Sequence, residues 1–334
     1  MKISILDDYQ GAISTLSCFE RLRGHEVKDW NDHVTDVDQL AARLADSEVL
    51  VLIRERSIIT AALLERLPRL KLISQFGVTP HIDIAACTRL GITVCSGQFP
   101  RPSYATAEFT WGLILASARH IPQEVARLKQ GGWQSTLGTV LHGSTLGIYG
   151  YGKIGKLIAG YGKAFGMRVL VWGRETTLDK ARVDGFDTAR SKEEFLEQSD
   201  VLSLHMRLTD ATRGAITAQD LARMKPSALL VNTSRAELIA PGVLAAALKA
   251  GRPGHAAVDV YEQEPVLGAN HPLLALDNAL CTPHLGHVER DAYEFGFGHA
   301  FDQVVAWTEG SPENVVNPDV LGSPQWRGKT GPAA

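Results

Sequence analysis

Short apolar runs alternate with amphipathic stretches from the first residue of this 334-residue chain. Residues 2–6, 49–53, 70–74 and 92–95 read as strands, and 11–23, 38–44, 60–67 and 82–90 carry the apolar spacing of helices between them. Strands separated by helices need crossover connections, so the first hundred residues predict one α/β domain built on a parallel sheet. The periodicity stops at Ser96-Gly-Gln-Phe-Pro-Arg-Pro-Ser103, where two prolines and a glycine mark a connection and Ser103 is placed to cap the next helix. That helix, 104–120, is apolar almost all round (Phe109, Trp111, Leu113, Ile114, Leu115), which predicts burial on several sides, and Pro122 should kink or end it.

A second α/β series opens with a strand at Thr145 and continues with strands at 168–172, 201–204, 228–232, 256–260 and 279–281. Beyond Pro283 the chain is helical again over 289–309. A sheet already complete at Cys281 leaves this helix free to rejoin the first domain. The expected layout is a discontinuous domain of residues 1–98 and 290–334 with a second domain, 99–289, inserted in it. Crossings near 96–103 and 286–290 would then flank a cleft.

Composition narrows the function classes. Apolar residues make up 45% and charged residues 21%, an ordinary globular balance. A net charge of −3 spread over both signs offers no basic face for nucleic acid. No apolar run reaches the length of a membrane span, and the N-terminus lacks a signal-peptide pattern, so a cytoplasmic protein is expected. Cys18, Cys87, Cys95 and Cys281 are scattered without paired spacing and read as small buried hydrophobes in a reducing compartment, not as metal ligands.

The chemistry begins at Thr145-Leu-Gly-Ile-Tyr-Gly-Tyr-Gly-Lys-Ile-Gly155, where an apolar strand turns on glycines into a helix of about 153–165. Gly150, Gly152 and Gly155 have the G-x-G-x-x-G spacing of a dinucleotide-binding turn. One glycine serves the tight turn, one the approach of backbone to a pyrophosphate, and one close packing of helix on strand. Amides at the helix start, from Lys153 and Ile154 onward, would face the phosphates. Three later segments also follow strands: Val231-Asn-Thr-Ser-Arg-Ala-Glu237, Val258-Asp-Val-Tyr-Glu-Gln-Glu-Pro265 and Cys281-Thr-Pro-His-Leu-Gly286. Ligands of open α/β sheets bind outside the carboxyl ends of strands. There these segments offer Arg235, Glu264 and His284, a fixed cation, a carboxylate and a group that titrates near working pH.

These motifs, in this order and at these intervals, resemble the D-isomer-specific 2-hydroxyacid dehydrogenases over nearly the whole chain, to the closing Asn314-Val-Val-Asn-Pro318. The resemblance implies a Rossmann dinucleotide-binding domain inserted in a flavodoxin-like substrate domain, and hydride transfer between NAD(P) and C2 of a small 2-oxo or 2-hydroxy acid. It assigns Arg235 to the substrate, Glu264 and His284 to the catalytic pair, and leaves Glu262 a bystander. It also brings Asp259 to the nicotinamide side, and His205, Thr233 and Gly286 to the cofactor. Arg54 matches a position that approaches substrate in some relatives, and the backbone amides of Gly77, Val78 and Thr79 are candidates to hold the substrate carboxylate. The substrate loop departs from the family's pattern, since Gly77-Val-Thr-Pro-His-Ile-Asp83 carries Pro80 and His81. Arg207 stands where the family usually has proline. The family's NAD enzymes have aspartate where this chain has Gly173, and Arg174 follows. A guanidinium there suits a 2′-phosphate, which points to NADP over NAD, with Glu175 as the residue that would argue the other way.

A symmetric homodimer built around the helix from Tyr104 is expected. Two other functions share the fold: a dinucleotide-sensing co-repressor, and formate dehydrogenase, whose histidine faces glutamine and which Glu264 argues against. A long allosteric phosphoglycerate dehydrogenase is disfavoured by the short stretch after residue 320.

Overall fold

The computed structural model describes residues 1–98 and 103–328. They fall into two compact units, one formed by both chain ends, up to Arg101 and from Glu289, the other by the stretch between. Residues 99–102 of the predicted proline-containing connection lie outside the described residues.

In the first unit, β1 (Lys2–Ile5), β2 (Glu26–Asp29), β3 (Val49–Val51), β4 (Leu72–Phe76) and β5 (Thr93–Gly97) pair in the order β2-β1-β3-β4-β5, every pair parallel. This is the flavodoxin-like order, with its switch point between β1 and β3. Four of the strands are the apolar runs of the sequence. The edge strand β2 escaped notice because Glu-Val-Lys-Asp alternates exposed with half-buried positions and has no apolar run. Residues 11–23 form two 3-10 helices, Ile13–Thr15 and Ser17–Leu22, not one amphipathic helix. Glu294 accepts the Ser17 and Cys18 amides at 2.5 and 2.9 Å, which caps the chain where a continuous helix would have run on. Glu294 belongs to the helix Arg290–Thr308, whose Ala300 carbonyl accepts from Ser74 on β4 at 2.8 Å.

The second unit holds β6 (Thr145–Tyr149), β7 (Arg168–Trp172), β8 (Asp187–Thr188), β9 (Val201–Leu204), β10 (Leu229–Asn232), β11 (His255–Val258) and β12 (Ala279–Cys281). They are parallel in the order β12-β11-β10-β9-β6-β7-β8, the Rossmann arrangement with one further edge strand. Two-residue β8 is too short to leave a sequence signature. Alternation sends Leu146, Ile148, Val171 and Val231 to one face and Leu170, Leu202, Leu204 and Leu230 to the other. Both faces are apolar, so both must be covered, at about 1.5–3 kcal/mol for each large side chain buried.

The helix Tyr104–Ala118 covers the first face with Ala107, Trp111 and Ile114, and the Trp111 ring lies 4.9 Å from Phe165. Two local expectations fail here. Ser103 makes no side-chain cap bond. Pro122 does not end this helix: the chain has already turned at His120, in the left-handed region (φ 50°), and Pro122 sits in the first turn of a new helix, Ile121–Lys129. Proline lacks an N–H that the first turn would leave unpaired anyway. Among the described residues, no helix is long and apolar enough to cross a membrane.

Candidate active site

The glycine turn leaves β6 and enters the helix Lys153–Ala164. Gly150 has φ +98°, and a Cβ there would stand 2.8 Å from the His205 carbonyl oxygen. A Cβ on Gly155 would collide with the Gly150 carbonyl, whereas one on Gly152 would meet nothing within 4 Å. Two of the glycines are thus dictated by chain packing, and the middle one borders open space. No side chain caps this helix start. The first amides, of Lys153, Ile154 and Gly155, therefore lack intrahelical partners beside that space, a cradle that fits a dinucleotide pyrophosphate.

Past β7 come Gly173 and Arg174, the latter exposed at the N-cap of the helix Glu175–Val183 without a side-chain cap bond. Glu175 is turned along that helix: its Oε1 accepts from Arg182 Nη1 at 2.6 Å. His205 follows β9. Burial pushes its imidazole down to about 4, so it stays neutral, and its Nε2 lies 2.8 Å from Ser203 Oγ. Arg207 is exposed.

The chemical groups stand beyond β10, β11 and β12. Asn232 shapes the first loop, accepting the Ser234 amide at 3.0 Å and donating to the Arg235 carbonyl at 2.8 Å. Arg235 Nη1 donates to the Ser234 carbonyl at 2.7 Å. From the second loop, Glu264 Oε1 accepts the Tyr261 amide at 2.9 Å and Oε2 lies 2.5 Å from His284 Nδ1. Burial alone would raise the Glu264 carboxyl, but the His284 hydrogen bond and charge, the Tyr261 amide and the Arg235 charge together hold it below the ordinary range. An ionised Glu264 can only accept, so Nδ1 carries the proton and Nε2 is left for exchange with a ligand. The arrangement can hold an anion at Arg235 and move a proton at His284.

His284 is itself in the left-handed region, φ 53°, a conformation that costs about 1–3 kcal/mol outside glycine. Asp259 holds the loop in that shape. It is fully buried, and its carboxylate accepts from Thr282 Oγ1 at 2.7 Å and from the Leu285 and Gly286 amides at 2.8 Å each. Burial pushes the Asp259 carboxyl up, with these donors and the His284 charge acting against it. Asp259 and Gly286 therefore engage each other. Thr233 bonds Thr110 at 2.8 Å, with the Thr110 hydroxyl donating to the Thr106 carbonyl at 2.6 Å. Glu262 pairs with His271 at 3.1 Å, away from the Glu264–His284 pair. Asn232, Tyr261 and Thr282 were not singled out from sequence; an Asn or Thr at a strand end, able to bond local backbone, was the available signal.

In the first unit, Arg54 follows β3 with φ 53° and its guanidinium lies 3.6 Å from Glu55. Gly77 follows β4 with φ +120°, which favours glycine. The Gly77 amide already donates to the Gly97 carbonyl at 3.0 Å, so it is not available to a substrate. Val78 and Thr79 amides make no hydrogen bond among the described residues. Gln75 braces their loop, donating to the Val78 carbonyl at 2.6 Å and facing His81 Nε2 at 3.0 Å with its oxygen. Burial lowers the His81 imidazole, which keeps it neutral.

Comparison with known proteins agrees with this geometry. Residues 111–286 match the family model described as D-isomer specific 2-hydroxyacid dehydrogenase, NAD binding domain. Glyoxylate reductase of Aeropyrum pernix is 39% identical over 310 residues, spanning 89% of this chain and 91% of that protein. D-3-phosphoglycerate dehydrogenase of Methanocaldococcus jannaschii is 36% identical over 84% of this chain but only 53% of its own length. The crystal structure of an oxidoreductase from Ralstonia solanacearum, named after D-3-phosphoglycerate dehydrogenase, superposes with a TM-score of 0.91 at 53% identity, covering 97% of this chain and 98% of that one. With its Rossmann unit, its glycine turn and its Arg, Glu and His at three successive strand ends, the chain belongs to the D-isomer-specific 2-hydroxyacid dehydrogenase family and is an NAD(P)-dependent oxidoreductase of CH–OH donors.

Proposed function

We propose that this protein reduces a small, unphosphorylated 2-oxo acid with NADPH. The 2.5 Å contact between His284 Nδ1 and Glu264 Oε2 carries the reading. When bound, the nicotinamide supplies hydride to the carbonyl carbon. The growing alkoxide then takes the Nε2 proton of His284, while Glu264 stabilises the imidazolium and fixes its ring. Arg235 binds the substrate carboxylate and polarises the adjacent carbonyl, a planar cation matched to a planar anion. Val78 and Thr79 amides and Arg54 take part in recognising the acid. The loop Gly77–Asp83 contains no lysine or arginine and its histidine is neutral, which favours a substrate without a phosphate.

The NADP preference rests on two features. Arg174 has no ion-pair or hydrogen-bonding side-chain partner among the described residues, and Glu175, the residue that could have repelled a 2′-phosphate, is held by Arg182. The proposed partner is a second copy of the chain. The helix Ile121–Lys129 buries none of its residues, and Ile121, Val125 and Leu128 on it are 48%, 46% and 58% exposed. Trp133, Leu137 and Val140 beyond it are more exposed still. This moves the expected dimer surface from the helix at Tyr104, which packs into its own sheet, to the elements that follow it. Solution scattering at micromolar concentration should give a dimer that Trp133→Glu with Val125→Glu dissociates.

The test of the reaction is a panel of glyoxylate, hydroxypyruvate, pyruvate, phenylpyruvate and 3-phosphohydroxypyruvate with NADPH and NADH. The expected result is highest kcat/KM for glyoxylate or hydroxypyruvate with NADPH, and a cofactor ratio that falls in Arg174→Ala. Preference for 3-phosphohydroxypyruvate, or an NADPH/NADH ratio below one that Arg174→Ala leaves unchanged, contradicts the substrate or the cofactor assignment respectively.

A further inference from the structure

The segment Leu6-Asp-Asp-Tyr-Gln10 after β1 has no part in the reaction outlined above, yet it contains one of the most heavily engaged side chains of the first unit. Asp7 is 2% exposed and sits in the left-handed region, φ 62°. Its Oδ2 accepts from Ser57 Oγ at 2.6 Å, and its Oδ1 lies 2.8 Å from His33 Nδ1. Its carbonyl accepts from Arg56 Nη1 at 2.6 Å. The Arg56 guanidinium also stacks over the Tyr9 ring, 4.7 Å from its centroid. Both bonds from the β3 side come from the four-residue loop Arg54-Glu-Arg-Ser57.

That loop carries Arg54 in a left-handed conformation (φ 53°), so its shape is not one the backbone would choose unaided. Two attachments to Asp7, one through its carboxylate and one through its carbonyl, fix the loop at Arg56 and Ser57, two and three residues after Arg54. Both Asp7 and Ser57 are buried, so this bond is shielded from water and from salt. A buried carboxylate accepting from a hydroxyl and an imidazole on two different elements is a point at which three strand ends (β1, β2 and β3) are tied together.

We propose that Asp7 and Ser57 form a positioning pair for substrate recognition. Their bond holds the Arg54 loop in the one shape from which the Arg54 side chain can select the acid. The inference rests on the reading of Arg54 as a substrate-recognising residue, and its failure can be told apart from the failure of that reading.

The experiment is a double-mutant cycle on the intact protein, with steady-state kinetics for the best 2-oxo acid of the panel at saturating cofactor. Ser57→Ala is expected to raise KM for the acid about 5–10-fold, with kcat and the KM for the nicotinamide cofactor changed less than about twofold. Ser57→Thr, which keeps the hydroxyl, should restore the native KM. In the Arg54→Ala background, where KM is already raised, Ser57→Ala should add almost nothing, because both changes remove the same interaction. Should Arg54→Ala raise KM while Ser57→Ala leaves it unchanged, or should the two effects multiply, Asp7 and Ser57 do not act through Arg54 and the proposal fails. Should Arg54→Ala itself leave KM unchanged, the reading of Arg54 fails first. A thermal melt of each variant accompanies the kinetics. A Ser57→Ala protein whose apparent kcat falls in proportion to lost folded protein while both KM values stay native indicates a purely structural bond and also overturns the proposal.

Discussion

The two units put polar side chains at the carboxyl ends of parallel strands, but they arm those ends differently. In the Rossmann unit Arg235, Glu264 and His284 each lie within a few residues of a strand end; Asn232, at the end of β10, holds the Arg235 loop, and Asp259, from beyond the neighbouring β11, holds the His284 loop. In the flavodoxin-like unit Asp7, beyond β1, braces the loop after β3, while Gln75 on β4 itself braces the loop that follows it. The bracing is thus alike in the two units; what differs is what the loops carry, a guanidinium, a carboxylate and an imidazole in the one, and Arg54 with the Val78 and Thr79 amides, unbonded among the described residues, in the other.

The largest expected effect breaks the Rossmann side of this contrast. Arg235→Ala should lower kcat/KM by about 10³-fold or more, with both parameters damaged, because the carboxylate it holds also aligns the carbonyl for attack. Retention of native KM in that variant would mean that the carboxylate is bound elsewhere.

The glycine turn gives a sharper pair. Gly155→Ala drives a Cβ into the Gly150 carbonyl, so both stability and cofactor binding should suffer, with Tm falling by about 2–4 °C for each kcal/mol lost. Gly152→Ala meets only open space in the protein, so Tm should hold while the dissociation constant for NADPH rises roughly tenfold through a clash with the pyrophosphate. Equal losses of Tm in the two variants would contradict the distinction between packing glycine and ligand glycine.

The same division explains what the sequence made legible. Apolar runs located every strand except β2 and β8, one an edge strand with no apolar run and the other only two residues long. The strand-end motifs pointed to Arg235, Glu264 and His284, and the structure brings two of them, Glu264 and His284, within 2.5 Å of each other. The bracing of the first unit was invisible: Asp7 and Ser57 are 50 residues apart, and only the β1–β3 pairing brings them together. Likewise the amide of Gly77 is taken by Gly97 across β4 and β5, a register detail no local pattern carries. The helix end expected at Pro122 falls earlier, at the left-handed His120, which leaves the proline in the first turn of the next helix.

The smallest effect expected is in pH dependence. The Glu264 carboxyl is held below its ordinary range, so it stays ionised through neutral pH. Its contribution to stability is complete above the unfolded carboxylate range and is lost as pH falls through the lowered folded value. Glu264→Gln removes this ionisable group, so the Tm difference between native and variant protein should shrink as pH falls below the carboxylate range. A Tm difference independent of pH would show that Glu264 is not held ionised by its partners.

One pair of Michaelis curves tests the division of labour most directly: kcat and KM for the best 2-oxo acid, measured side by side in His284→Ala and Arg54→Ala with saturating cofactor. The expected result is a loss of about 10²–10⁴-fold in kcat for His284→Ala with KM little altered, and a raised KM with most of kcat retained for Arg54→Ala. Near-native turnover in His284→Ala, or a collapse of kcat in Arg54→Ala with KM unchanged, would contradict the assignment of proton transfer to His284 and of selection among acids to Arg54.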